Sequence, residues 1–184
     1  MLFRSDHGIV DNNTKFREGT VFFPQLLQQA GYETAFVGKW HMGSDGSHRP
    51  GFDYWVSLPG QGSNEDPLLI EGDAQKLVLG HVTDIFTDRA VGFLDSDRDE
   101  PFLLYFSHKA LHPDPRLGLV EGGFIAAKRH RGIYDDYHIM RRPSAGVPPF
   151  DKPALMRKIE GLPPLGLDTS TTDRTIRDRL EMMT

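Results

Sequence analysis

Lys39 and His41 stand two positions apart, directly after a glycine and a short apolar run, Ala35-Phe36-Val37-Gly38. Successive strand residues alternate faces, so positions i and i+2 project the same way. An ammonium and an imidazole would then leave a strand end together, where α/β sheets place their chemistry. Such a pair suits an anionic oxygen that also needs proton transfer. The same residues also fit a solvated loop, and the spacing alone does not choose between the two. A second group is Ser107-His108-Lys109-Ala110-Leu111-His112. His108 and His112 have the i, i+4 spacing that holds zinc on a helix. That reading fails here: no Glu follows His108, the segment follows a strand, and Pro113 and Pro115 prevent a regular helix. His108 is then expected to be a hydrogen-bonded turn residue.

The elements that would carry these residues can be read from periodicity and turn residues. Residues 15 to 31 predict a helix, with Pro24 in a first turn and Gly31 closing it. The strand ending at Gly38 follows, then a loop rich in Gly, Ser and His over 43–51, and a second strand from Phe52 to Leu58. Residues 68 to 79 read as a hairpin turning near Gly72-Asp73, a small excursion from the main sheet. Thr83 is expected to cap a helix whose apolar face is Val82, Ile85, Phe86, Ala90, Phe93 and Leu94. The run Pro101 to Phe106 is continuously apolar, which fits a parallel strand buried on both faces. Strand, helix, strand with chemistry at strand ends predicts a doubly wound α/β core. Residues 113–168 are Pro- and Gly-rich with little periodicity. A helix returns at 170–184, starting at Thr172-Asp173, with Ile176, Leu180 and Met183 on one face.

Bulk properties narrow the function classes. Length of 184 residues fits one domain or a large part of a bigger one. A net charge of -5 argues against a nucleic-acid surface. The short run Lys128-Arg129-His130-Arg131 reads as a solvated loop. No apolar stretch approaches the roughly 20 residues of a membrane-spanning helix. There are no cysteines, hence no disulfides and no thiolate metal site. The N-terminus carries no signal-peptide pattern, and both ends read as cut through a domain.

Residues 31–41, Gly-Tyr-Glu-Thr-Ala-Phe-Val-Gly-Lys-Trp-His, resemble the sulfatase-family pattern Gly-Tyr-x-Thr-x-x-x-Gly-Lys-x-His. Residues 101–112 resemble the same family's Pro-Phe-Phe-Leu-Tyr-x-Ser-His-Lys-Ala-x-His strand, except that Pro113 and Pro115 here flank Asp114. His7-Gly8-Ile9-Val10, Gly51-Phe52-Asp53-Tyr54-Trp55 and Arg129 to Tyr134 match further family segments in order. The resemblance implies an alkaline-phosphatase-like, doubly wound mixed sheet, incomplete at both ends. It divides the chain into a core over 7–112, irregular loops over 113–168 and the terminal helix. It implies a sulfuric ester hydrolase acting on an aryl or carbohydrate sulfate, with Lys39, His41 and His112 catalytic and Lys39 and His112 touching the substrate. Lys39 would hold oxygens of the nucleophile and the sulfate. His41 would take a proton so that sulfate is expelled, and His112 would contact the sulfate and protonate the leaving oxygen.

The resemblance also implies a formylglycine nucleophile and a calcium ion held by Asp and Asn oxygens. Neither is expected within this sequence. No Cys-x-Pro-x-Arg is present, and neither Ser5 nor Ser144 opens a Ser-x-Pro-x-Arg. The paired aspartates of the family's first strand are absent, and Asp135-Asp136 lies in a late loop. The chain is therefore expected to be an internal fragment, inactive alone and lacking flanking segments of its own domain. A phosphoester or phosphonate hydrolase of the same superfamily and a noncatalytic carbohydrate-binding module remain alternatives. Compartment is not readable.

Overall fold

The computed structural model describes residues 8, 9, 11, 14–43, 45–117, 122–143 and 172–184. The readings at Ser5, His7, Val10 and Ser144, and those that fall on residues 118–121 and 144–168, lie outside the described residues.

Pro24 sits in the first turn of a short helix, α1 (Phe23–Gln29), where its missing N–H leaves no bond unmade. The Gln25 side chain accepts the Phe22 N–H at 2.8 Å, and Gly31, at φ +86°, turns the chain out at the other end. The helix is shorter than the sequence predicts. Residues 15–22 are irregular because Gly19, at φ +77°, makes a turn in which Thr20 bonds back to the Arg17 carbonyl.

Five strands follow: β1 (Glu33–Gly38), β2 (Tyr54–Ser57), β3 (Leu68–Glu71), β4 (Ala74–Leu77) and, after the helix α2 (Val82–Leu94), β5 (Phe102–Ser107). They form one sheet in the order β4-β3-β2-β1-β5. β1 runs parallel to β2 and β5, while β3 and β4 are antiparallel. The predicted hairpin exists, turning at Gly72 with φ +59°, but it extends the main sheet instead of leaving it. The reason is that Leu69 and Ile70 are buried, one on each face of the sheet.

Alternation along the strands builds two cores. Val37, Val56, Leu58 and Leu69 pack with Val82, Ile85 and Phe86 of α2. On the other face Phe36, Phe52, Trp55 and Ile70 cluster, with Phe36 stacked on Trp55 at 4.5 Å. An α/β sheet with a helix against β1 from α1 and another from α2 is the predicted architecture. α2 is capped by His81, whose Nδ1 accepts the Thr83 N–H at 3.3 Å, not by Thr83 itself.

β5 departs from expectation. Its apolar run predicts burial on both faces, yet Phe102, Tyr105 and Phe106 are exposed. β5 pairs with β1 alone among the described strands, so it stands at the sheet edge. Helix α3 (Asp173–Met183) starts as predicted, with Thr172 Oγ1 accepting the Thr175 N–H at 3.1 Å. Its buried face, however, holds Thr175, Asp178, Glu181 and Met182, while Met183 is exposed. Ion pairs and hydrogen bonds draw that polar face inward: Asp178 pairs with Arg174 at 2.6 Å and Glu181 accepts the Gly132 N–H at 2.8 Å. The basic run 128–131 is likewise tied down. Lys128–His130 form a 3-10 turn, Arg129 makes a bidentate pair with Asp84 at 2.6 Å, and Arg131 pairs with Glu65.

Candidate active site at the ends of two parallel strands

Lys39 and His41 leave the C-terminal end of β1, and the segment 108–112 leaves the C-terminal end of β5. Because the strands are parallel neighbours, these ends lie on one edge of the sheet. Gly38 pairs with Ser107, and Lys39 continues the ladder, donating its N–H to the Ser107 carbonyl at 2.8 Å. The Ser107 hydroxyl donates back to the Lys39 carbonyl at 3.3 Å. Gly38 is required there: at φ +139° a Cβ would come within 1.9 Å of the Ser107 carbonyl oxygen.

Other letters of the Gly31–His41 pattern fix the strand itself. Thr34, fully buried, donates its N–H and hydroxyl to Asp53 Oδ2 at 2.8 and 2.9 Å. Gln28 holds the other oxygen of Asp53 at 2.6 Å, so one carboxylate ties α1, β1 and the start of β2. Trp40, between Lys39 and His41, packs into the aromatic cluster of Phe36 and Phe52. Its indole anchors the backbone from which the two polar residues project.

The Lys39 ammonium donates to Gln61 Oε1, and burial pushes its pKa below the usual lysine value. His41 is exposed. His112 is half-buried, with its Nδ1 at 2.9 Å from the Pro113 carbonyl. A carbonyl only accepts, so Nδ1 carries the proton and Nε2 is the nitrogen left to meet a ligand. Burial holds the His112 pKa below the ordinary value, and the charges of Lys39, Lys109 and His41 lower it further against a raising bond to Pro113. The structure thus brings Lys39, His41 and His112 to one place.

The departure at Pro113-Asp114-Pro115 has a physical basis. Asp114, fully buried, receives Arg116 on both oxygens at 2.8 Å and the Asn64 N–H at 3.1 Å. Arg116 and those N–H groups hold its carboxyl far below the usual carboxylate range. Asp114 therefore fastens the loop after β5 to the loop after β2. His108 is not the hydrogen-bonded residue expected: its Nδ1 is buried without a partner, and its ring packs on Phe106 at 4.2 Å. The sheet places that ring against apolar side chains, and burial lowers its pKa.

Among the described residues no group of three or more His, Cys, Asp or Glu is placed to hold a metal ion. Asp135 pairs with Arg174. Gln61 and Lys109 are site neighbours that the sequence did not single out. Lys109 lies inside the quoted pattern, but its burial is a tertiary fact.

The family model described as Sulfatase matches residues 1–129. The chain belongs to the sulfatase family. Among its sulfatase relatives, the N-acetylglucosamine-6-O-sulfatase of Bacteroides thetaiotaomicron is 38% identical over 138 residues, covering 73% of this chain and 23% of that protein. An arylsulfatase of Hemicentrotus pulcherrimus is 30% identical over 139 residues, covering 61% and 24%. The solved structure of BT4656 in complex with its substrate D-glucosamine-2-N,6-O-disulfate superposes with a TM-score of 0.66 at 35% identity, covering 78% of this chain and 27% of that one. The chain thus spans about a quarter of the length of the curated relatives it matches.

Proposed function

We propose that this sulfatase chain contributes to hydrolysis of a carbohydrate sulfate ester, with Lys39, His41 and His112 as its part of the active site. The observation that carries the reading is the convergence of these residues at the adjacent ends of β1 and β5. The substrate class is proposed from what the matched proteins are named for or were solved with: an N-acetylglucosamine-6-O-sulfatase and a structure holding D-glucosamine-2-N,6-O-disulfate support it. A 6-O-sulfated glucosamine is the proposed substrate.

The chemistry divides among the residues by type. Lys39, a fixed ammonium oriented by Gln61, holds sulfate oxygens as charge develops on them. His41, open to solvent, accepts the proton whose removal lets sulfate depart. His112 enters the reaction neutral, because burial and its cationic neighbours lower its proton affinity. An arriving sulfate is anionic and reverses that balance, so His112 takes up a proton on Nε2, contacts the sulfate and delivers that proton to the leaving oxygen. The nucleophile that the family supplies as a formylglycine has no cysteine precursor here and is proposed to come from residues outside this sequence. The same holds for the family's calcium.

The test is sulfate release from 6-O-sulfated glucosamine by the protein encoded in the complete reading frame, beside an aryl phosphate monoester. Lys39→Met should lower kcat/KM by roughly 10²–10³-fold, as loss of a donor to developing charge does. His41→Gln and His112→Gln should lower it by roughly 10²–10⁴-fold. Phosphate release exceeding sulfate release, or variants with undiminished turnover, would overturn the reading. The 184-residue chain alone is expected to release no sulfate.

A further inference from the structure

Lys109 is a buried lysine that the proposed chemistry leaves unused. It is 2% exposed, although lysines ordinarily carry their ammonium to water. Its Nζ donates to the Pro113 carbonyl at 2.9 Å and reaches the His112 carbonyl at 3.5 Å. Among the described residues it forms no ion pair: Asp114, the acid beside it, is bound by Arg116 and the Asn64 N–H. The Pro113 carbonyl that receives the Lys109 ammonium also receives His112 Nδ1–H. One oxygen therefore joins a buried cation to the imidazole proposed to meet the sulfate.

We propose that Lys109 is a positioning residue for His112: through the shared Pro113 carbonyl it fixes the Nδ1–H tautomer, and through its charge it keeps the imidazole unprotonated until an anion arrives. This deepens the proposed reading of His112 and rests on it. The opposing demands explain the burial. A lysine at the surface would be screened by water, whereas a charge in a low-dielectric loop acts strongly on a ring sharing its carbonyl. The ammonium is bound to the backbone carbonyls of His112 and Pro113.

The charged groups around both partners can be named. Lys39 from the end of β1, with Asp114 and Arg116 from the same loop, face Lys109; Lys39, His41 and Lys109 face His112. Desolvation leads the causes that bring the Lys109 pKa down to about 8, and Lys39 adds to it against Asp114. Lys109 therefore titrates within the working range of ordinary buffers, so its influence on His112 can be switched off without a mutation.

The experiment is a histidine 15N and lysine 13Cε NMR titration of the protein, with His112→Gln giving the assignment. In the unmutated protein His112 should show a protonated Nδ1 and a bare Nε2. Its 15N shifts should move a second time near pH 8, in step with the Lys109 Cε resonance. Lys109→Met should raise the His112 midpoint and abolish the second movement. A folded Lys109→Met protein with an unchanged His112 midpoint would overturn the proposal. So would an unmutated protein whose His112 shifts ignore the Lys109 titration, a result that stands even if the variant does not fold. A lysine that only clamps the loop would leave both readouts still. The titration needs no turnover, so a protein that passes it and yet hydrolyses no sulfate refutes the proposed function alone.

Discussion

At the scale of the residue, the empty site favours the neutral form of His112, and the proposed role has the ring take up a proton when an anion arrives. Its proton affinity is lowered first by burial and then by Lys39, Lys109 and His41. If the protonated ring contacts sulfate and donates to the leaving oxygen, kcat/KM follows the protonated fraction of the free protein. The folded pKa is depressed, so that fraction falls as pH rises through a midpoint below the usual histidine value of about 6.5. In the enzyme carrying this chain, a falling limb of kcat/KM should appear there and be absent in His112→Gln. A flat profile across that range would show that His112 acts without its second proton. Lys39 and His41 stood out by residue type and spacing and His112 through the family resemblance, and the adjacent ends of β1 and β5 carry all three. Gln61 and Lys109 did not stand out. A glutamine in a loop carries no periodic signal, and nothing local tells that the Lys109 ammonium is enclosed. His108 shows the converse, since its position after a strand was readable but its aromatic surroundings were not.

At the scale of the element, the site depends on how closely β1 and β5 approach at their ends. Gly38 carries that approach: its φ of +139° and the Ser107 carbonyl leave no room for a side chain. Gly38→Ala must open the ladder that passes Lys39 N–H to Ser107, and the cost is expected to exceed about 2 kcal/mol in denaturant unfolding. Because the same ladder sets the Lys39 ammonium against Gln61, hydrolysis by the enzyme carrying this chain should fall further than stability accounts for. A variant that unfolds at the native midpoint would show that the close approach is dispensable. Alternation and the i, i+3, i+4 pattern made β1, β2 and α2 readable, since each has one demand per face. Ends were harder. α1 begins late because of the Gly19 turn, and α2 is capped by His81 through a side-chain nitrogen. α3 misleads most: its apolar positions suggested one face, while the ion pairs of Arg174 bury another.

At the scale of the whole molecule, the two outer strands of the sheet are both exposed among the described residues but differ in composition. β3 and β4 finish the first edge with a hairpin whose outer strand is exposed and carries Gln75 and Lys76 at its centre. Lys76 and Gln75 on that strand make it a poor template for further pairing. Among the described strands β5 finishes the other edge with Phe-Leu-Leu-Tyr-Phe-Ser, and Phe102, Tyr105 and Phe106 are exposed at 44%, 44% and 40%. An apolar run of that kind at an edge offers unpaired backbone groups together with aromatic surface. The sequence read this strand as buried because composition reports what a strand is suited to, not which neighbours are present. The 184-residue chain on its own should therefore self-associate through β5. Sedimentation velocity across a concentration series is the measurement, with larger species growing as concentration rises. Tyr105→Lys places a charge on the exposed strand without touching Lys39, His41 or His112, and it should return the distribution toward monomer. Since the net charge is only -5, electrostatic repulsion between copies is weak at physiological salt and the edge should dominate. A chain that sediments as a monomer at every concentration would mean that β5 is guarded by something other than its own residues.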